Sequence, residues 1–350
     1  MADWTGVGRY TRSLTRALAE RGDVSIVQLV APGEAPPVPD AESIQAEGHP
    51  FGLAGMRAYG RAVRRVQPDL VHSLHFPTPT PLPHPLVVTV HDLIPLAVPA
   101  VMPSSVRRAT YRLLVGRAIR GADSIIVPSR STAAAVREFS ASADEKLTLT
   151  PYAADDFGSD AGQLPDAVQS LDRYVLGFAS VKPHKRLDVL LDAWQHALPL
   201  LDPGVSLVLV GSPTDVYRGH ALARAGHPRI VWVDGVDDAQ LRALYAGAAV
   251  FAFPSVYEGF GLPPLEAMAS GAPVVCTDAA SVPEVVGDAA LVVPSGDASA
   301  LAGAMLRLLA DPALAADLAR RGLDRAATFT WARTAELTVA VYRRVLGPSL

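Results

Sequence analysis

Two glutamates, Glu258 and Glu266, stand with seven residues between them in the segment SVYEGFGLPPLEAMASGAPVV. Gly259 and Gly261 allow the backbone to approach a ligand closely, and Pro263-Pro264 favours the first turn of a helix, whose free amides suit a phosphate. A carboxylate only accepts hydrogen bonds, so each glutamate needs a partner rich in donors, such as a sugar. The segment predicts a nucleotide-sugar site. The alternative is that Glu266 only favours the helix start and Glu258 is solvated.

Short apolar runs separated by helical patterns must position these residues. The first half has VSIVQLV, DLVHS, LVVTV and SIIV, and the second half has YVLGFA, VSLVLVG, RIVWV, AVFAF, PVVC and ALVV. Continuous apolar runs of this kind predict parallel sheets covered on both faces, hence an α/β fold with two doubly wound, Rossmann-like domains. Ligands of such sheets bind at the carboxyl ends of the strands. Glu258 is therefore expected in a loop after AVFAFP, and Glu266 in the first turn of the next helix.

Length and composition agree with two globular domains. The chain has 350 residues, of which 49% are hydrophobic and 19% charged, and this excludes the disordered class. We place a boundary between Thr150 and Tyr174, giving domains at 1–155 and 156–332, with a C-terminal helix at 333–350 packing back on the first domain. The single Cys276 and the lack of a signal sequence or a long apolar run predict a cytoplasmic protein.

The two halves differ in charge. Residues 1–150 carry 16 basic against 13 acidic residues, whereas the rest carries 15 against 22. The arginines concentrate in two helical segments: Arg57, Arg61, Arg64 and Arg65, and Arg107, Arg108, Arg112, Arg117 and Arg120. One interpretation is two solvated helix faces, and the other is attraction to an anionic lipid surface or a phosphorylated acceptor. The net negative charge of the chain disfavours nucleic acid.

Seven segments of the sequence resemble those of a known family. EGFGLPPLEAMASGAPVV is similar to the E-x7-E signature of the retaining glycosyltransferases of family four, also called group one, which have the GT-B fold. Six more segments resemble the family in order: TGVGRYTRSLTRALAERG, VVTVHDLIP, SVKPHKRLDVLLDAW, VDDAQLRALYAGAAVFAFPS, SVPEVVGDAALVV and FTWARTAELTVAVYRRVL. The resemblance implies two Rossmann-like domains facing a cleft.

The resemblance also implies roles for individual residues. Glu258 would contact the transferred sugar, Glu266 the ribose, and Lys185 the phosphates. His91 would lie near the sugar and hydrogen-bond to a hydroxyl or to the transferred group, although a histidine at a strand end is often structural. We leave His72 and His75 as structural or acceptor-side residues. The remaining donor-binding candidates are Gly6, Gly8, Arg186, Val236, Gly259, Phe260, Gly261 and Leu262.

The implied activity is transfer of a hexose from a nucleotide-diphosphate sugar, as co-substrate, to a glycan or lipid-linked acceptor with retention of configuration. We expect no cofactor and no metal, because Asp155-Asp156 lacks further oxygen ligands and lysine with helix termini can neutralise a diphosphate. Where relatives carry a second basic residue, this chain has Ala179, so Lys182 or Arg186 would compensate. The alternative activity is that of a sugar-nucleotide epimerase of GT-B fold. A sugar-binding protein and a nicotinamide dehydrogenase fit less well.

The start of the chain departs from the family pattern. Gly6-Val7-Gly8 is expected as a loop before a helix at 9–21, and in the family a central strand precedes this loop. Residues 1–5 are too short to supply both a strand and a turn. We therefore expect the first domain to lack its first strand, unless the start is misassigned or trimmed or another segment fills the gap.

Overall fold

The computed structural model describes residues 6–49, 51–154, 162–211 and 227–347. The helices are α1 Gly6–Arg21, α2 Leu53–Val66, α3 Ile94–Ala97, α4 Ser105–Gly121, α5 Arg130–Phe139, α6 Asp166–Gln169, α7 Leu187–Ala197, α8 Asp238–Gly247, α9 Leu262–Ala269, α10 Val282–Val286, α11 Ala298–Ala310, α12 Pro312–Ala326 and α13 Trp331–Leu346. The strands are β1 Val27–Val30, β2 Glu42–Gln45, β3 Val71–Ser73, β4 Leu86–Thr89, β5 Ser124–Val127, β6 Leu147–Leu149, β7 Arg173–Phe178, β8 Val205–Val210, β9 Ile230–Val233, β10 Val250–Phe253, β11 Val274–Thr277 and β12 Ala290–Val293.

The chain divides into two compact units. The first unit comprises Met1–Tyr152 with Thr330–Leu350, and the second comprises Ala153–Phe329. The division itself does not test the predicted domain limits, which stay a prediction.

The second unit is built on one parallel sheet, in the order β12-β11-β10-β7-β8-β9. The central strands are buried on both faces, as their continuous apolar sequences predict. The core beside them holds the fully buried Trp194 and Leu187 of α7, together with Leu301 and Met305 of α11. The predicted strands of this half are confirmed, and this sheet places the ends of β7, β10 and β11 on the same edge.

The first unit also has parallel strands, arranged among the described residues as a four-stranded sheet β3-β4-β5-β6 and a separate two-stranded sheet β1-β2. β4 and β5 are fully buried, whereas β1 and β3 are mostly half-buried. The C-terminal helix α13 belongs to this unit, where its Val341 packs on Val87 of β4 and Ile126 of β5. The predicted α/β class with parallel sheets is therefore confirmed in both units.

Three details differ from the sequence predictions. β2 and β6 were not predicted, because ESIQ is almost wholly exposed and LTL is short and only half-buried, so neither reads as an apolar run. Helix α1 begins at Gly6, so the predicted glycine-rich loop forms its first turn. Glycine destabilises a helix mainly in its interior, so Gly6 at the N-terminal end of α1 is tolerated. The predicted missing strand and Asp155-Asp156 fall at positions outside the described residues.

Within the described ranges, no single helix is both long and apolar enough to cross a lipid bilayer. The predicted cellular location stays a prediction.

Candidate functional site

The loop between β10 and α9 carries the paired-glutamate segment. Gly261 caps α9 with φ 117°, in the left-handed region that favours glycine, and the two prolines lie in the first turn of the helix. Because the helix begins at Leu262, Glu266 is its fifth residue and lies in the second turn, not in the first as predicted. Glu258 lies in the loop, as predicted.

Glu258 and Lys185 form an ion pair that joins two loops of the second unit. The Lys185 Nζ donates to Glu258 Oε1 over 2.7 Å, and the ammonium lies 5.1 Å from the centre of the Phe253 ring. Glu258 is only 8% exposed. A buried carboxylate needs a charged or hydrogen-bonding partner, and here a cation brought from 73 positions earlier supplies one. The structure thus brings together the residue predicted to contact the sugar and the residue predicted to contact the phosphates.

Hydroxyl groups hold this loop in place. Ser255 Oγ lies 2.6 Å from Glu258 Oε1 and 2.9 Å from the His184 carbonyl oxygen, so its single proton can serve either acceptor. Ser281 Oγ lies 2.9 Å from the Glu258 carbonyl oxygen and 2.7 Å from that of Phe260. Thr277 Oγ1 donates to the Ser255 carbonyl oxygen. The sequence analysis missed these hydroxyl residues, although Ser255 lies two positions after the end of β10 and Thr277 ends β11.

Only one oxygen of Glu258 is used in this network. Both Lys185 and Ser255 contact Oε1, and Oε2 has no hydrogen-bond partner in the part of the chain that the structure describes. Glu266 is also buried, at 6% exposed, and its Oε2 accepts from the Tyr245 hydroxyl over 3.2 Å. Tyr245 was not predicted, because it lies on a different helix, α8. Among the contacts described here, a cation and a serine hydroxyl bind Glu258, and a phenol binds Glu266.

Arg186 and Val236 belong to the same unit. Arg186 has φ 47°, and its guanidinium makes a two-pronged contact with the Asp188 carboxylate at 2.9–3.0 Å. Val236, between β9 and α8, is 7% exposed. Lys182 is exposed and makes no ion pair or hydrogen bond from its ammonium within the described ranges. Of the two residues considered as compensating cations, Arg186 already has a carboxylate partner and Lys182 does not.

His91 lies in the first unit, directly after β4 and Val90. Its Nε2 is 2.7 Å from the Leu74 carbonyl oxygen, which only accepts, so Nε2 carries the proton and Nδ1 accepts from the Tyr152 hydroxyl. Burial lowers the pKa of His91 to about 4, which keeps the ring neutral. Both ring nitrogens already have protein partners, so the predicted bond to a sugar would have to replace one of them.

The other candidates in the first unit lie on β3 and on α1. His72 contacts the Tyr342 hydroxyl at 2.7 Å and Thr89 Oγ1 at 2.8 Å, which fits the structural role left open for it. Gly6 is exposed and Gly8 is buried, both in the first turn of α1. Among the residues described, no group of three or more His, Cys, Asp or Glu side chains has the arrangement needed to hold a metal ion.

Two family models match the chain. The model described as "Glycosyltransferase Family 4" matches residues 4–156, and the one described as "Glycosyl transferases group 1" matches residues 172–311. The O-antigen chain mannosyltransferase B of Escherichia coli is 30% identical over 374 aligned residues, which cover 97% of this chain and 96% of that protein. This similarity extends over both units.

Solved structures share the fold at lower identity. Sucrose-phosphate synthase from Thermosynechococcus elongatus has a TM-score of 0.78 at 22% identity, covering 97% of this chain and 94% of that chain. The Anabaena protein Alr3699/HepE has a TM-score of 0.73 at 19% identity, covering 97% and 96%. At such identities the likeness concerns the fold alone, and that fold is GT-B. With the family models and the full-length relative, it shows that this chain is a glycosyltransferase and belongs to glycosyltransferase family 4, group 1.

Proposed function

We propose that this protein transfers a mannosyl group from a nucleotide-diphosphate mannose to a hydroxyl of a glycan or lipid-linked acceptor, with retention of configuration and without a required metal. The full-length similarity to a mannosyltransferase supports the choice of sugar. The HepE structure was solved in complex with UDP and glucose, which supports a nucleotide-linked donor. The observation that carries the proposal is the Lys185–Glu258 pair at the edge of the second sheet.

In the proposed reaction, the two members of the pair bind different parts of the donor. Lys185 neutralises the diphosphate as it leaves, because a compact ammonium can follow developing charge on phosphate oxygens. Glu258 accepts from sugar hydroxyls through Oε2, the oxygen without a partner among the described residues. Glu266 accepts from the ribose diol, and the amides at the start of α9 bind phosphate oxygens.

Configuration at the sugar C1 is retained because the acceptor oxygen attacks C1 on the same face from which the diphosphate leaves. The bond from the sugar C1 to the phosphate oxygen breaks, the bond from C1 to the acceptor oxygen forms, and the acceptor proton moves to the departing phosphate oxygen. In this proposal Glu258 binds sugar hydroxyls, so the protein supplies no covalent nucleophile to C1. The epimerase alternative is disfavoured, because the full-length relative is a transferase.

The test uses the full chain with GDP-mannose, UDP-glucose, UDP-N-acetylglucosamine and dTDP-rhamnose, each with p-nitrophenyl α-mannoside and with or without EDTA. We expect turnover of GDP-mannose that EDTA does not abolish, and an α-linked product by NMR. A β-linked product, or preference for another sugar, would refute retention or the donor. Glu258→Gln should lower kcat/KM by roughly a hundredfold, since lost hydrogen bonds to charged groups are worth about 1.5–3 kcal/mol. Glu284→Gln, in the same unit, is the matched control.

The first unit carries a surface suited to an anionic membrane, where a lipid-linked acceptor would reside. Helix α2 contains no acidic residue, and its arginines are all exposed and make no ion pair or hydrogen bond within the described residues: Arg57, Arg61, Arg64 and Arg65. The second predicted cluster is less available. Arg117 binds the Thr78 and Pro79 carbonyl oxygens, and Arg108 binds that of Met102, so both serve the fold.

Vesicle sedimentation tests this contact. Replacing the four α2 arginines by glutamine should reduce binding to phosphatidylglycerol vesicles, because each basic residue near such a surface contributes about 1 kcal/mol. Phosphatidylcholine vesicles should bind weakly throughout. The charge-matched control replaces four ion-paired arginines by glutamine: Arg137, Arg320, Arg321 and Arg333. Equal losses in both variants would show that net charge, and not the α2 face, governs binding.

A further inference from the structure

Glu266 receives a hydrogen bond from a residue of a different helix. The hydroxyl of Tyr245, on α8, lies 3.2 Å from Oε2 of Glu266, on α9, and the two residues stand 21 positions apart in the sequence. Tyr245 is 0% exposed and Glu266 is 6% exposed. A carboxylate only accepts, so the phenol is the donor. The contact joins the glutamate proposed for the ribose to an aromatic ring in the core of the second unit.

The position of this phenol is fixed by its surroundings. The Tyr245 ring packs edge to face on Phe251 of β10, at 5.1 Å between ring centres, and on Phe178 at the end of β7, at 6.1 Å. Helix α8 is also tied to β7, because the Tyr174 hydroxyl donates to the Leu244 carbonyl oxygen over 2.7 Å. The Tyr245 hydroxyl therefore has a set position before any ligand binds.

The use of a carboxylate as the acceptor of this phenol is informative. Burying a charged group destabilises a fold more than burying a neutral one, and a backbone carbonyl oxygen also satisfies a buried phenol. Tyr174 is an example, since its acceptor is the Leu244 carbonyl oxygen of α8. The need of the Tyr245 phenol for an acceptor therefore does not explain why Glu266 is buried beside it. A carboxylate that serves a ligand, and a phenol that orients the carboxylate, explain both residues.

We propose that Tyr245 is a positioning residue for Glu266 and thereby sets a preference for donors that contain ribose over donors that contain 2′-deoxyribose. This rests on the proposed function, in which Glu266 accepts from the ribose diol. A carboxylate has about four acceptor positions, so it can accept from a phenol and from a diol together. Because the phenol fixes the plane of the carboxylate, the two ribose hydroxyls meet acceptors that are already oriented.

The preference arises because a 2′-deoxyribose offers one hydroxyl fewer. Against an oriented carboxylate, the missing hydroxyl loses a hydrogen bond to a charged group, which corresponds to roughly 10- to 100-fold in affinity. A carboxylate without the phenol must be ordered by the nucleotide itself, which lowers affinity about two- to tenfold. This loss is larger for a diol than for one hydroxyl, because a single hydrogen bond tolerates more orientations of the carboxylate. Removing the phenol should therefore narrow the difference between the two kinds of donor.

The competing explanation is that Tyr245 serves only the packing of α8. Tyr245→Phe retains the ring and removes the hydroxyl. A packing role alone would let this variant lower the Tm but would leave the selectivity between the two kinds of nucleotide unchanged. Selectivity is thus the property that separates the two explanations.

The experiment uses the full chain and nucleotides that differ only at the 2′ position: GDP with 2′-deoxy-GDP, and UDP with 2′-deoxy-UDP. Titration calorimetry gives each Kd, and selectivity is the Kd of the deoxynucleotide divided by that of the ribonucleotide, for the pair that the wild type binds more tightly. Tyr174→Phe is the matched control. It also removes a buried phenol that is tied to α8, but that phenol bonds to Leu244 and not to Glu266.

We expect the wild type to bind the ribonucleotide at least about tenfold more tightly than the deoxynucleotide. Tyr245→Phe should lower this ratio about two- to tenfold, whereas Tyr174→Phe should leave it unchanged at a comparable loss of Tm. In the Glu266→Ala background, Tyr245→Phe should no longer change the ratio, because the carboxylate is absent. With GDP-mannose, Tyr245→Phe should raise KM and leave kcat nearly unchanged, since the ribose is bound equally before and during transfer.

The outcomes are distinct. An unchanged ratio in Tyr245→Phe, a wild type that does not prefer the ribonucleotide, or an equal change in Tyr174→Phe would each overturn the positioning role. A change that persists in the Glu266→Ala background would also overturn it, because the phenol would then act without the carboxylate. If the wild type binds GDP or UDP but transfers no mannose, the proposed transfer fails, and the ratios still decide the role of Tyr245. A wild type that binds none of these nucleotides would refute both proposals.

Discussion

Acidification should destabilise the first unit through its neutral histidines. Burial lowers the pKa of His72 and His75 to about 3 and that of His91 to about 4, from an ordinary value of 6.5. His72 shows why protonation is unfavourable: Nδ1 faces the Tyr342 hydroxyl and Nε2 faces Thr89 Oγ1, and no carboxylate contacts the ring among the described residues. The unfolded chain therefore binds these protons at a higher pH than the folded chain does.

The sign and size of the effect follow from linkage. Because the folded pKa values are depressed, stability is full above pH 6.5 and is lost as the pH falls from there toward 3–4. Each pH unit below 6.5 removes about 1.4 kcal/mol per histidine, so each loses roughly 2 kcal/mol by pH 5. The three together lose about 6 kcal/mol, against a total stability of about 5–15 kcal/mol for a typical protein.

The assay is urea unfolding at pH 7, 6 and 5, followed by hydrogen-exchange mass spectrometry of peptides that contain β4, pulse-labelled at one common pH. His72→Gln lowers the stability at pH 7, but it should reduce the loss between pH 7 and pH 5 by about 2 kcal/mol. His196→Gln, an exposed histidine of α7, should leave the loss as in the wild type. Equal pH slopes in wild type and His72→Gln would refute the reasoning.

Two further predictions concern packing and the candidate site. A Cβ on Gly60 would lie 2.1 Å from the Thr80 carbonyl oxygen, so Gly60→Ala should lower the free energy of unfolding by roughly 1–3 kcal/mol in urea titrations. Gly303 lies at an exposed helix position, and a Cβ there would have no atom within 4 Å, so Gly303→Ala should raise the free energy of unfolding by about 1 kcal/mol. A lower free energy of unfolding in Gly303→Ala would contradict this reasoning from available space. Ser255→Ala should lower kcat/KM for the nucleotide sugar about tenfold through the loosened Glu258, whereas Ser255→Thr should retain most of it. Equal activity of the two Ser255 variants would show that the hydroxyl is not needed.

The fold was predictable wherever burial on both faces left a continuous apolar run. VSLVLVG and AVFAF are such runs, and both are central strands of the second sheet. ESIQ of β2 was not predictable in this way, because an exposed strand is specified by its pairing with β1 and not by its own residues. The local sequence also misplaced a helix: residues 6–8 were predicted as a glycine-rich loop, yet they are helical in α1.

The candidate site was predictable in its residue types but not in its pairings. Glycines and prolines around Glu258 identify a loop and a helix start from local chemistry alone. Its ion pair with Lys185 spans 73 positions and depends on strand order, which the sequence does not state. Arg186 was predicted to bind the donor. In the structure its guanidinium binds the carboxylate of Asp188, two positions later in the sequence.

The ion pair between Lys185 and Glu258 affects how the lysine could contribute to the proposed reaction. A nucleotide-sugar diphosphate gains charge when it leaves, so a cation that binds it equally before and after departure would lower KM without raising kcat. Lys185 is already held by Glu258 Oε1, and the donor must compete with that carboxylate for the ammonium. The more highly charged leaving diphosphate competes better than the intact donor does. If Lys185 binds the diphosphate as proposed, pairing with Glu258 would shift its contribution from ground-state binding toward the transition state, where it would accelerate transfer.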